Sequence, residues 1–158
     1  MKILIFPWAK TMRNGKKHPK NYPYWPELIN MLTADGHTII QVGGGGEEQL
    51  VPDFRPGLPY GELIRLVHEC DTWIGVDSFG QHLGWSVGRR GIAIFGQSDP
   101  NIFGHPENVN LLKDRANLRE RQFWLWEQCE ANDSVWVTPE EVVTALRDNF
   151  INVSGNWV

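Results

Sequence analysis

Two short polar stretches hold the residue types best suited to chemistry. Asp77-Ser78-Phe79-Gly80-Gln81-His82 follows an apolar run from Thr72 to Val76, and Gly96-Gln97-Ser98-Asp99-Pro100 follows another from Gly91 to Phe95. Where a buried strand gives way to a helix, the first helical amides lack partners and attract phosphate. Asp77 or Ser78 is placed to cap such a helix, which leaves the amides near Phe79, Gly80 and Gln81 open at the strand end. His82, about one turn further on, can donate to a phosphate oxygen or serve as an acid. An equally good reading is that Asp77 merely caps the helix and His82 packs beneath the sheet. Gln97 and Ser98 would add an amide and a hydroxyl to the same pocket.

Two other stretches point the same way. Gly43-Gly44-Gly45-Gly46-Glu47-Glu48 closes an apolar run, and glycine lets backbone come close to a ligand. The run lacks the Gly-x-x-x-x-Gly-Lys-Ser/Thr spacing of a phosphate loop, so a flexible turn explains it as well. Lys10, Arg13, Lys16, Lys17 and Lys20 form the one basic cluster, in which Lys17 and Lys20 are candidates to meet the charge of a diphosphate. A solvated lysine-rich loop is the competing reading. There is no Asp-x-Asp pair, no Gly-x-Ser-x-Gly elbow and no histidine pair at metal-ligand spacing, so no metal site is expected.

The elements that must carry these residues alternate along the chain. Ile3 to Phe6 reads as a buried strand ended by Pro7, and Trp8 to Tyr24 as a long loop at its carboxyl edge. Pro26 opens a helix that Gly36 closes, and Thr38 to Val42 is a second strand. Pro52 to Pro59 reads as a loop, Glu62 to Cys70 as a helix, and Thr72 to Val76 and Gly91 to Phe95 as strands joined by a short helix. Val109 to Leu112 and Ser134 to Val137 are expected strands, and Leu118 to Glu127 an expected helix. Thr138-Pro139-Glu140-Glu141 is a capping-box start for a last helix. This alternation specifies an α/β fold, a single Rossmann-like, doubly wound parallel sheet over residues 1–150 with a tail at 151–158. In such sheets ligands bind beyond the carboxyl ends of the strands.

Composition narrows the classes. With 158 residues, 41% hydrophobic, one domain with one core is expected, and a net charge of -4 disfavours a broad nucleic-acid-binding surface. Cys70 and Cys129 are too few for a disulfide framework, and Cys70 is expected to be a small buried thiol. The first apolar run is too short for a signal peptide and no stretch suits a membrane span, so a cytoplasmic protein is expected. Of the eight Trp, Trp124 and Trp126 are expected in the core; covering a partner surface or stacking on a ligand are the alternatives.

Gly75-Val76-Asp77-Ser78, His82-Leu83, Gly88 and Ile92-Ala93-Ile94-Phe95-Gly96-Gln97-Ser98-Asp99-Pro100 resemble the carboxyl-terminal, nucleotide-sugar-binding domain of the heptosyltransferase-like glycosyltransferases (glycosyltransferase family 9, GT-B fold). Lys20 with Trp25-Pro26 is similar to that family's Lys-x-Trp-Pro, Gly43 to Glu48 to its Gly-Gly-x-x-Glu, and Val137 to Val142 to its Ile-Thr-Pro-Glu-Glu-Val. Phe79 stands where the family has Gly, and Lys20 lies further from Trp25 than in the family motif.

The resemblance implies one half of a GT-B glycosyltransferase, binding a nucleotide diphosphate-sugar as donor substrate without metal or other cofactor. It implies donor-sugar or phosphate contacts at Asp77, Ser78 and His82, a phosphate contact at Lys20, and a ribose contact at Glu47 or Glu48. The Phe79-Gly80 backbone and the Gln97-Ser98 turn complete the expected donor site, with Asp77 and His82 its expected catalytic groups and Asp99 a third candidate for the base. The half that holds the acceptor in that family has no counterpart in this sequence, so the acceptor is expected on a partner chain or second subunit. A non-catalytic module that binds or sequesters nucleotide or nucleotide-sugar is the alternative.

Overall fold

The computed structural model describes residues 1–152 and 154–158. Six parallel strands form one sheet: β1 (Lys2–Phe6), β2 (Thr38–Gly43), β3 (Phe54–Pro56), β4 (Thr72–Val76), β5 (Ile92–Phe95) and β6 (Val109–Leu112). Their order is β3-β2-β1-β4-β5-β6, so the direction of winding reverses beside β1. Ile3 pairs with Ile39 on one side and Thr72 on the other, which brings the carboxyl ends of β1, β2 and β4 to one edge. That reversal is where doubly wound sheets open a crevice.

Side chains alternate between the two faces. Ile3, Ile5, Ile74, Val76, Ile92 and Ile94 meet α1 (Trp25–Ala34) and α5 (Pro139–Phe150). Leu4, Phe6, Ile40, Val42, Trp73 and Phe95 meet α2 (Tyr60–Glu69) and α3 (Phe79–Ser86). Both faces are covered, which is why these strands read as continuous apolar runs. The α5 start carries both capping-box bonds: the Glu141 amide donates to Thr138 Oγ1 at 3.2 Å, and the Thr138 amide donates to Glu141 Oε2 at 2.6 Å.

Close approach of α3 to the sheet depends on absent side chains. A Cβ on Gly84 or Gly91 would fall on the Trp73 indole, whose N–H donates to the Arg89 carbonyl at 2.7 Å. A Cβ on Gly80 would fall on the Phe6 ring. Cys70 is buried, and burial pushes its thiol up to about 11.

Four expectations are corrected. The Pro52–Pro59 region contains the edge strand β3, where Pro56 is tolerated because its nitrogen need not donate to a neighbour. Residues 118–127 form no α-helix: 3₁₀ turns occur at Arg115–Asn117 and Trp126–Gln128, with irregular chain between them. Ser134–Val137 joins no sheet; it passes through a 3₁₀ turn, and Val135, Trp136 and Val137 are buried without strand pairing. Trp124 is 47% exposed and Trp126 is half-buried, so neither belongs to the core. A short helix, α4 (Pro100–Phe103), also follows the second polar turn. In the tail, Val153 lies outside the described residues.

Candidate functional site

A cavity of about 470 Å³ opens at the carboxyl edge beside the winding reversal. One wall is apolar, formed by Phe6, Val42, Leu58 and Leu63. The rim carries Lys10, Lys20, Glu47 and Arg55, and the end of α3 contributes Ser78, Phe79 and Gly80. An apolar slot beside charged groups and a helix amino terminus suits a ligand that is flat at one end and anionic in the middle.

The α3 end is open. Ser78 is its N-cap residue with extended backbone, yet its hydroxyl makes no capping bond. Asp77 does not cap either: Oδ1 accepts from Gln81 Nε2 at 2.6 Å, and Oδ2 lies 3.8 Å from Lys20 Nζ. Asp77 is buried at 6% exposure and stands behind Lys20 rather than on the cavity wall. The first amides of α3 are therefore free of side-chain partners, and Lys20 lines the same cavity.

Lys20 is held on three sides. Its amide donates to His18 Nδ1 at 3.1 Å, and its ammonium lies 5.5 Å from the centre of the Trp126 ring besides pairing with Asp77. The His18 bond leaves Nε2 as the protonated nitrogen. Burial, helped by the Lys20 charge, lowers the His18 pKa to about 4, so the imidazole is neutral near pH 7. The His18 ring packs on Trp126 at 5.3 Å, and Arg119 covers that indole at 4.0 Å.

Two adjacent carboxylates follow the glycine run and part company. Glu47 folds back over Gly43, where any Cβ would collide with it, and lines the cavity. Burial raises its pKa. Glu48 is anchored instead through its carbonyl, which accepts from Trp8 Nε1 at 3.0 Å and Gln41 Nε2 at 2.8 Å. Its residue lines a neighbouring cavity of about 370 Å³.

Five expected residues lie outside the main cavity: Asp77 and Glu48, described above, and His82, Gln97 and Ser98, as does the candidate base Asp99. His82 meets the chain that follows α4, with Nδ1 2.8 Å from His105 Nε2, and His105 stacks on Trp85 at 4.2 Å. Desolvation and the nearby His105 lower the His82 pKa. Gln97 binds residues 119–130: its Nε2 donates to the Glu130 carbonyl, and its own carbonyl accepts from the Arg119 amide and Gln122 Nε2. Ser98 is buried with its hydroxyl unpartnered, and Asp99 takes two bonds from Arg115, which lower its pKa. Among the described residues no three His, Cys, Asp or Glu side chains gather as a metal site.

Trp8, His18 and Arg55 also line the cavity and were not singled out from sequence. His18, two places before Lys20 in the same loop, was the one with a local signal.

The model of glycosyltransferase family 9 (heptosyltransferase) matches residues 1–130. The chain belongs to this family. Lipopolysaccharide heptosyltransferase 1 of Escherichia coli K12 is 27% identical over 104 residues, which is 60% of this chain and 32% of that protein. The E. coli heptosyltransferase WaaC, solved with ADP, is similar with a TM-score of 0.67 at 18% identity, covering 94% of this chain and 44% of that one. A glycosyl transferase family 9 structure from Veillonella parvula is similar with a TM-score of 0.70 at 17% identity, covering 94% and 45%. This family 9 chain thus spans about a third of the curated relative and under half of the solved ones. The described helices include none long and apolar enough to cross a membrane.

Proposed function

We propose that this family 9 chain binds a nucleotide diphosphate-sugar in the 470 Å³ cavity and serves inverting, metal-independent sugar transfer to an acceptor held by a partner chain or second subunit. The observation that carries this reading is that the Lys20 side chain and the uncapped amino terminus of α3 line one cavity. Two sources of positive potential thus border one cavity, which is what a departing diphosphate requires. The nucleoside would lie on the Phe6–Val42–Leu58–Leu63 wall with Glu47 toward its ribose.

In the reaction, the acceptor oxygen attacks the anomeric carbon from the face opposite the diphosphate. The bond from that carbon to the phosphate oxygen breaks, its electron pair leaves with the diphosphate, and the acceptor proton passes to a base. Asp77 and His82 are the proposed catalytic pair. Asp77 is within reach once a phosphate draws Lys20 away from it, whereas His82 takes part by turning from His105.

Calorimetry with ADP-, UDP-, GDP- and CMP-sugars tests binding, and release of free diphosphate from labelled donor tests turnover. Absence of binding across the panel defeats the proposal. One observation favours the sequestering alternative: both Asp77 oxygens are already engaged, by Gln81 and Lys20. Tight donor binding with no diphosphate released from any donor and acceptor mixture would decide for it.

A further inference from the structure

Three cavities meet at one side chain. His18 lines the donor cavity, the neighbouring cavity of about 370 Å³, and a third of about 340 Å³ between the 10–13 loop and residues 124–127; among the described residues no other lines all three. Yet His18 is only 9% exposed, so it stands in the partition between them.

The two ring nitrogens have different surroundings. Nδ1 accepts the Lys20 amide at 3.1 Å, which fixes the proton on Nε2. Nε2 has no hydrogen-bond partner among the described residues and, unlike the Ser98 hydroxyl, is not sealed from solvent. An N–H in a mostly buried ring that only cavity water satisfies gives a ligand oxygen a bond in exchange for that water.

Charge decides which oxygen suits it. Around the ring stand Lys20 of the same loop, Asp77 after β4, and Arg119 and Glu127 of the segment beyond β6, and burial together with Lys20 keeps the imidazole neutral. A neutral donor stands beside the Lys20 ammonium without repelling it, and with its proton already on Nε2 it does not serve as the base. Lys20 and Ser78–Gly80 line the same cavity as His18, so an anion that reaches them is within the compass of all three.

We propose that His18 is a ligand of the donor diphosphate, its Nε2–H donating to a phosphate oxygen beside the Lys20 ammonium and the α3 amides, a role that rests on the donor reading above. Such a bond strengthens as negative charge builds on the leaving group. Unlike the Lys20 ammonium, this donor is not shared with Asp77 in the free protein.

Two substitutions separate contact with the ligand from support of the loop. His18→Asn puts an amide oxygen where Nδ1 stands, so the Lys20 amide keeps an acceptor, but the side chain is too short to replace Nε2. His18→Gln puts an amide nitrogen where Nε2 stands and leaves the Lys20 amide without its acceptor. The probes are ADP, UDP and GDP, each titrated beside its own nucleoside into the full chain. For the diphosphate that binds the parent, His18→Asn should weaken binding about tenfold and His18→Gln roughly threefold, while the nucleoside changes by less than about twofold in His18→Asn. In the parent, the Nε2 proton should move downfield in imidazole proton–nitrogen spectra on saturation with that diphosphate and not with the nucleoside. Unchanged diphosphate binding in His18→Asn, an equal loss for the nucleoside, a larger loss in His18→Gln than in His18→Asn, or an unmoved Nε2 proton overturns the proposal and leaves the donor reading standing. If none of the three diphosphates binds the parent, the donor reading falls and this role falls with it.

Discussion

Lys20 Nζ stands 3.8 Å from Asp77 Oδ2, with the carboxylate buried behind the ammonium and the ammonium on the cavity wall. A buried carboxylate with one cation is costly to strip of it, so a phosphate entering the cavity competes with Asp77 for Lys20. Lys20→Met is expected to weaken ADP binding by roughly 10–100-fold, the size of a lost charge-assisted hydrogen bond, and to lower the melting temperature because Asp77 loses its partner. Asp77→Asn keeps an acceptor for Gln81 and removes the competition. ADP affinity should hold or rise while sugar transfer falls, and calorimetry beside a turnover assay reads both.

His18 imposes a pH dependence. Its folded pKa, about 4, lies below the ordinary 6.5, so between those values the unfolded chain binds a proton that the folded chain does not. Stability is therefore full above about pH 6.5 and declines as pH falls toward 4, by roughly 1–2 kcal/mol once solvent around the ring is allowed for. Denaturant melts of the parent and of His18→Gln across this window check it, and the substituted protein should lose much of the slope.

Gln97 ties residues 119–130 to the end of β5. Gln97→Ala removes the side-chain bond to Glu130 while leaving the main-chain bonds, at a cost of about 1 kcal/mol. Amide exchange should quicken at residues 119–130 and stay unchanged in β1 and β4. Uniform loosening of the sheet would contradict this.

Gly84 exists to admit Trp73. Gly84→Ala places a methyl on the indole and should destabilise by about 1–3 kcal/mol through overpacking, read as a lower urea midpoint at unchanged slope. ADP affinity of the fraction still folded should be unaltered, since Gly84 does not line the cavity.

Sequence alone determined the parts of this protein that depend on neighbours close along the chain. The apolar runs of β1, β2, β4 and β5, the Pro-and-Gly bounds of α1 and the Thr138–Glu141 capping box are short-range signals, and the family motifs sit on them. From these the parallel α/β sheet and the edge bearing the site were legible. The tertiary structure decided whatever rests on distant partners. Residues 118–127 have the composition of a helix, but Gln97 and Asp99, more than 20 places away, fix their backbone instead. His82 meets His105 because α3 lies beside the chain leading to β6, and Glu47 rather than Glu48 reaches the cavity because Trp8 and Gln41 hold the latter's carbonyl. Periodicity carries no information about which loop closes over which strand end, and the donor cavity is made of such closures.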